Sequence, residues 1–194
     1  MEKETALHVA LRYGYQRVAH LLIEVNPELT CLTNMVNESP LFLATSKDYM
    51  QTANMILEYC PESSFQGVNG VTALHAVVTH KSELAIKTLE SMILENGDAI
   101  KEADAIGWTP LHYAALKGNL EATELLLLGK HDGSASYMLD KSGMSALHVA
   151  ALAGHEEVME KLIRRHPDIC DLVNHKGQTA LHIAVLAGQE TVVE

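Results

Sequence analysis

A short phrase returns six times along this chain at nearly constant spacing. It reads TALHVAL from Thr5, SPLFLAT from Ser39, TALHAVV from Thr72, TPLHYAA from Thr109, SALHVAA from Ser145 and TALHIAV from Thr179. Successive copies lie 34, 33, 37, 36 and 34 residues apart. A fixed period of this size means one supersecondary unit stacked on copies of itself, each burying its apolar side against its neighbours. Few other sequence features restrict the fold so severely.

The stretch from Asp104 to Leu128 shows how one unit is built. DAIGWT, residues 104–109, reads as a tight hairpin tip in which Gly107 supplies a positive φ. Thr109 is placed to cap the following helix, and Pro110 fits the first helical position. Leu111, Ala114 and Ala115 then fall on one apolar face. Gly118 ends that helix and Asn119 can cap a second, LEATELLLL. The tip glycine returns as Gly70, Gly143 and Gly177, with Asn37 as a residue that tolerates the left-handed region. The inter-helix glycine returns as Gly14, Gly154 and Gly188. Asp48 and Lys81 replace it, which predicts less regular turns in the second and third units.

Prolines punctuate the connectors. Pro27, Pro61 and Pro167 each fall 22 residues into their unit, and each is expected to stop the second helix. Leu94 and His131 stand there in the third and fourth units, the two longer ones. The extra residues are therefore expected in the connectors LENGDAIKEADAIG and GKHDGSASYMLDKSG, with helices of unchanged length.

Period and phrase together resemble the ankyrin repeat, whose pattern is T-P-L-H-x-A at about 33 residues. The resemblance covers the whole chain. It implies an all-α solenoid of about six helix-turn-helix units with β-hairpin tips, a single domain over 1–194. The units lie near 1–33, 34–66, 67–103, 104–139, 140–173 and 174–194. The first and last look truncated, since four residues precede Thr5 and the chain stops at ETVVE, so a fragment of a longer protein is expected. Proline-stopped helices followed by wording such as PDICDLVNHKGQTALHIAVLAG resemble the plant ankyrin–transmembrane proteins of the accelerated-cell-death type, which carry a C-terminal Pro-Gly-Gly domain. That likeness implies repeats on the cytoplasmic face, a membrane anchor in a missing C-terminal region, and a role in defence or stress signalling. Neither a Pro-Gly-Gly segment nor a span occurs in these 194 residues.

The composition narrows the partner. With 14 Lys and Arg against 25 Asp and Glu, the net charge is −11. Such a surface repels phosphate backbones and anionic lipid, so nucleic acid is not expected and a basic protein surface is. No run approaches the ~20 apolar residues of a span, so direct membrane insertion by this segment is not expected either. Cys31, Cys60 and Cys170 have no metal-type spacing and are expected as reduced thiols, with Cys60 a small buried hydrophobe. In isolation the segment is expected to be monomeric.

Eleven histidines invite a metal or catalytic reading. Yet His8, His75, His112, His148 and His182 occupy one place in the phrase, so they do one job per unit: bonding the capping Thr or Ser and nearby backbone. His131 with Asp132, and His166 near Cys170, lack the paired spacing of a zinc site. No nucleophile elbow, phosphate loop or HExxH is present. No enzyme activity, metal or cofactor is expected.

In ankyrin proteins the usual binding face is the concave one, made of hairpin tips and exposed sides of first helices. The residues just before each phrase are Glu4, Glu38, Val71, Trp108, Met144 and Gln178, apolar at the centre and polar at the ends, as in an interface with a polar rim. Trp108, the only tryptophan, is the expected anchor with Met144, Val71 and Ile106. Trp108 packing between adjacent hairpins is the competing role. Met35, Val36 and Val68 adjoin at the tips. Arg12, Tyr13, Lys47, His80, Lys117 and Leu152 adjoin at the first helices. The expected function is a protein-interaction scaffold. The alternatives are a ligand- or calmodulin-binding ankyrin domain of a channel or transporter, or a free cytosolic adaptor.

Overall fold

A computed structural model describes residues 4–128 and 133–189. They divide into two compact units, Met1–Asn96 and Gly97–Glu194. The first holds α1 (Ala6–Arg12), α2 (Gln16–Val25), α3 (Pro40–Ser46), α4 (Met50–Tyr59), α5 (Ala73–Val77) and α6 (Glu83–Glu95). The second holds α7 (Pro110–Lys117), α8 (Leu120–Leu128), α9 (Ala146–Ala153), α10 (Glu156–Arg165) and α11 (Ala180–Leu186). No strand occurs among the described residues.

Within each unit, first helices pack on first helices and second on second. In the first unit α3 lies between α1 and α5, and α4 between α2 and α6; in the second, α9 lies between α7 and α11, and α10 against α8. The phrase leucines make this core: Leu7, Leu41 and Leu74 in one unit, Leu111 and Leu147 in the other, all essentially inaccessible to solvent. Ile23, Ile56, Leu89 and Leu162 continue it from the second helices. The all-α repeat architecture expected from the phrase is present.

The turns follow the glycines with one informative exception. Gly14, Gly118, Gly154 and Gly188 all have positive φ, and so does Asp48, at φ 61°. The second repeat thus keeps the same turn on a residue poorly suited to it, against the less regular turn expected there. Lys81 does not, and α5 closes after only 5 residues before Ser82 caps α6 through the Ala85 N–H. The tips are not extended hairpins. Four of them are loops closed by two backbone bonds: the N–H of Asn34, Asp104, Asp140 or Asn174 donates to the carbonyl of Glu38, Trp108, Met144 or Gln178, and its own carbonyl accepts the N–H of Asn37, Gly107, Gly143 or Gly177.

The prolines act as expected. Helices α2, α4 and α10 end two residues before Pro27, Pro61 and Pro167. Pro27 and Pro167 then open short 3-10 turns, Pro27–Cys31 and Pro167–Asp171. The expectation of helices unchanged in length fails in the third repeat. There α6 runs 13 residues against 10 in α2 and α4, and Leu94 lies inside it, 84% exposed. Without a proline at that point nothing stops the helix, so the insertion is partly helical. In the fourth repeat, residues 129–132, with His131 and Asp132, lie outside the described residues, as do 190–194.

The reduced-thiol expectation is also corrected for two cysteines. Cys31, at the end of its 3-10 turn, and Cys60, the C-cap of α4, form a disulfide across 29 residues. Packing of α4 on α2 and on that turn brings them together. Cys170 is a free, exposed thiol.

Candidate functional site

The phrase histidines set the geometry on which any site rests. In the first repeat the His8 Nε2–H donates to the Glu38 carbonyl at 3.0 Å. A carbonyl only accepts, so Nε2 carries the proton and Nδ1 offers its lone pair. Nδ1 meets the Thr5 hydroxyl at 2.7 Å and receives the Thr5 N–H at 3.4 Å. His112 repeats this towards Met144 at 3.1 Å, and His148 towards Gln178 at 3.0 Å. Each imidazole thus caps its own helix and holds the following tip. Burial pushes the pKa of all three down, against the pull of the carbonyl bonds. These are structural groups held neutral.

A second brace shapes the tips. Five residues before each of four phrases stands Asn34, Asp104, Asp140 or Asn174. Its Oδ1 accepts two backbone N–H groups: Val36 and Glu38, Ile106 and Trp108, Ser142 and Met144, or Lys176 and Gln178. In the third repeat Gly67 takes the place, because a Cβ there would strike the ring of Phe42. Phe42 is the one phrase residue that replaces histidine, so the two departures have one steric cause.

In the first unit, Tyr13, Met35 and Val36 come together around a cavity of about 390 Å³, lined also by Glu4, Arg12 and Asn34. The three apolar side chains are 68%, 64% and 58% exposed. Beneath them Arg12 donates to Glu38 at 2.6 Å and to Glu4 at 2.8 Å, and the Asn34 amide donates to Glu38 at 2.8 Å. Burial alone would raise the Glu38 pKa, but the bonds from Asn34 and Arg12 outweigh it and hold the carboxyl below its usual range. The bond that Arg12 donates to Glu38, then that to Glu4, raises the Arg12 pKa. The floor is therefore a fixed ion triad under an apolar rim. Val68 and Val71, half-buried, belong to the third tip, and His80 faces Asp48 at 3.6 Å beyond α5.

The second unit gathers the other expected residues. Ile106 and Trp108 share one tip and half-buried Met144 lies in the next. The Ile106 carbonyl accepts the Lys141 N–H at 3.0 Å, and the Trp108 indole N–H donates to Asp140 at 3.0 Å. Trp108 also meets the Tyr113 ring edge-on at 5.4 Å and stacks on His112 at 6.1 Å. Its packing role is thus real, with Asp140 rather than an apolar neighbour as its polar partner. Tyr113 donates to Asp104 at 2.8 Å, and burial, then that bond and charge, push its pKa up to about 12. Lys117 and Leu152 stand exposed at the ends of α7 and α9. Arg12, Asp104, Asp140 and Tyr113 were not singled out as tip-holding residues by sequence reasoning. The recurrence of Asn or Asp five positions before the phrase is the signal that finds two of them.

No group of three or more His, Cys, Asp or Glu side chains converges as a metal site among the described residues. No helix among them is long and apolar enough to cross a membrane.

The family model for three ankyrin repeats matches residues 41–137 and again 131–194, and a single-repeat model matches 2–32. The chain belongs to the ankyrin-repeat family. Such repeats form protein–protein interaction domains and are typically without enzymatic activity. Among curated proteins, the chain is 28% identical over 66% of its length to the transient receptor potential cation channel A1 of Drosophila melanogaster, of which it covers 11%. It is 30% identical over 64% of its length to neurogenic locus notch homolog protein 1 of Mus musculus, covering 5%. A match to the Candida albicans glycerophosphocholine phosphodiesterase GDE1, 23% identical, takes in 64% of the chain and 8% of that enzyme. The chain thus spans a small part of each of these relatives.

Proposed function

We propose that this ankyrin-repeat segment is a non-enzymatic scaffold whose hairpin tips and first-helix ends grip another protein. The observation that carries this reading is the cavity edged by Tyr13, Met35 and Val36. Three large apolar side chains, each more than half exposed, stand over an ion triad in which Arg12 binds both Glu4 and Glu38. An apolar centre with fixed polar surroundings is the anatomy of a protein interface. Ile106, Trp108 and Met144, with Lys117 and Leu152 as further contacts, offer a second such surface within the second unit, and Val68, Val71 and His80 are further contacts within the first.

The chain is monomeric in isolation on this reading, and the partner is a protein with a basic surface. The proline-stopped second helices, through their likeness to the plant ankyrin–transmembrane proteins, support a place on the cytoplasmic face as the arm of a membrane-tethered defence or stress-signalling protein. The likeness to the A1 cation channel supports a second reading, the regulatory ankyrin domain of a channel.

Affinity capture with the wild-type segment, Tyr13→Ala/Met35→Ala and Trp108→Ala tests the scaffold. The double variant and Trp108→Ala are each expected to weaken the captured partner by ~2 kcal/mol or more. Unchanged affinity in both, with only a lower melting temperature for Trp108→Ala, would sink the tip-centred site.

A further inference from the structure

We propose that Cys31 and Cys60 form a reversible redox clamp that sets how firmly the first repeat, and with it the Tyr13–Met35–Val36 cavity, is held. The proposal rests on the interaction reading above for its consequence, and on the first compact unit alone for its geometry.

The junction between the first two repeats is fastened at three places, one of them the contact of the His20 Nε2 with the Thr52 hydroxyl at 2.9 Å between α2 and α4. On the tip side stand the Arg12–Glu38 ion pair and the bond from His8 to the Glu38 carbonyl. On the connector side stands the Cys31–Cys60 bond. The cavity lies at this same junction, since Tyr13 and Arg12 come from the first repeat and Asn34, Met35 and Val36 from the second. The disulfide, with a sequence separation of 29, closes a loop that contains the whole second tip, α3 and α4.

Among the described residues the first repeat packs on the second alone. Its Val9 and Val18 are 38% and 49% exposed, where the second repeat buries Leu43 and Thr52 at the same places. The disulfide is a covalent link across this interface between the first two repeats, where a local opening of the stack would separate them.

Access favours exchange. Cys31 is exposed and Cys60 half-buried, so a small disulfide reaches Cys31 first. With oxidised glutathione as the oxidant, the Cys31 thiolate attacks one sulfur, a mixed disulfide forms, and one glutathione thiolate leaves. The Cys60 thiolate then attacks the Cys31 sulfur and expels the second glutathione. Two protein thiols are oxidised, one glutathione disulfide is reduced to two thiols, and two protons pass from the cysteines to the leaving groups. Reduced glutathione runs the sequence backwards.

Hydrogen exchange with mass spectrometry, on the chain equilibrated in oxidised and in reduced glutathione buffers, tests this, with thiol alkylation to score each cysteine. Reduction is expected to free Cys31 and Cys60 together and to speed amide exchange in residues 4–38 at least tenfold, leaving 146–189 unchanged. Cys31→Ser should exchange at the reduced rate in both buffers, and Cys170→Ser should behave as wild type. A bond that survives reduced glutathione, or exchange in residues 4–38 that ignores the redox state, overturns the clamp. Redox-dependent exchange in a chain whose Tyr13 and Met35 variants never change partner capture upholds the clamp and overturns only the interaction reading.

Discussion

A single imidazole braces the local order of every repeat but the second, where Phe42 stands in its place. His8, His112 and His148 work only when neutral, because Nδ1 must accept from the capping residue while Nε2–H donates to a carbonyl. Protonation would turn the acceptor into a donor facing the Thr or Ser N–H. Their folded pKa values are lowered, chiefly by burial, from the ordinary 6.5. The unfolded chain therefore binds more protons just below that value, and stability falls with pH there. The contribution is complete above pH 6.5 and is lost as pH drops through 6.5 towards the folded values. The Glu38 carboxyl, lowered from 4.5, acts in the same direction but only in a more acid window. Urea unfolding followed at about pH 7.5 and about pH 5.5 should therefore show a lower midpoint at the acid value. An identical midpoint would mean that the histidines stay protonatable in the fold.

Turns and helix ends are the elements that vary from repeat to repeat, and they show what a sequence gives away. Caps, proline stops and glycine turns depend on one or two residues, so they were readable directly. The extra turn of α6 was not, because a missing stop signal does not say whether the added residues coil or extend the helix. The joint exception of Phe42 and Gly67 needed the ring to be seen against the backbone. Two substitutions probe the inter-helix turn. Asp48 sits at φ 61° where other repeats use glycine. Asp48→Gly should stabilise the fold by about 0.5 kcal/mol in urea titration, since relieving left-handed strain outweighs a half-exposed contact with His80. Gly118→Ala should do the opposite. A Cβ there would lie 2.6 Å from His155 Nδ1, and His155 is already committed to the Leu116 carbonyl at 3.0 Å. With φ at 58° besides, a loss of at least about 1 kcal/mol is expected. Equal stability of the two variants would show that this turn is indifferent to its residue.

Across the whole molecule, the period fixed the fold class because it constrains every repeat at once, whereas the site depends on which side chains meet, and the period is silent on that. Tyr13, Met35 and Val36 were each visible as apolar residues near turns, but the ion triad beneath them joins Glu4, Arg12 and Glu38 over 34 residues and carries no local mark. Trp108 was conspicuous as the only tryptophan, yet its bond to Asp140 makes it part of the scaffold as well as of the surface. Charge is the property that belongs to no single repeat. The triad carries two carboxylates against one guanidinium, a small part of the −11 on the chain. A field of that kind acts before contact, drawing a basic partner in and orienting it, while the exposed apolar residues set how long it stays. The two contributions separate in kinetics. Raising the ionic strength from ~0.1 M to ~1 M shortens the Debye length from about 10 Å to about 3 Å. Association with the captured partner should therefore slow by tenfold or more in surface plasmon resonance, with little change in the dissociation rate. Tyr13→Ala/Met35→Ala should raise the dissociation rate and leave that salt dependence intact. An association rate indifferent to salt would mean that the negative surface serves solubility and that recognition is left to the apolar tips.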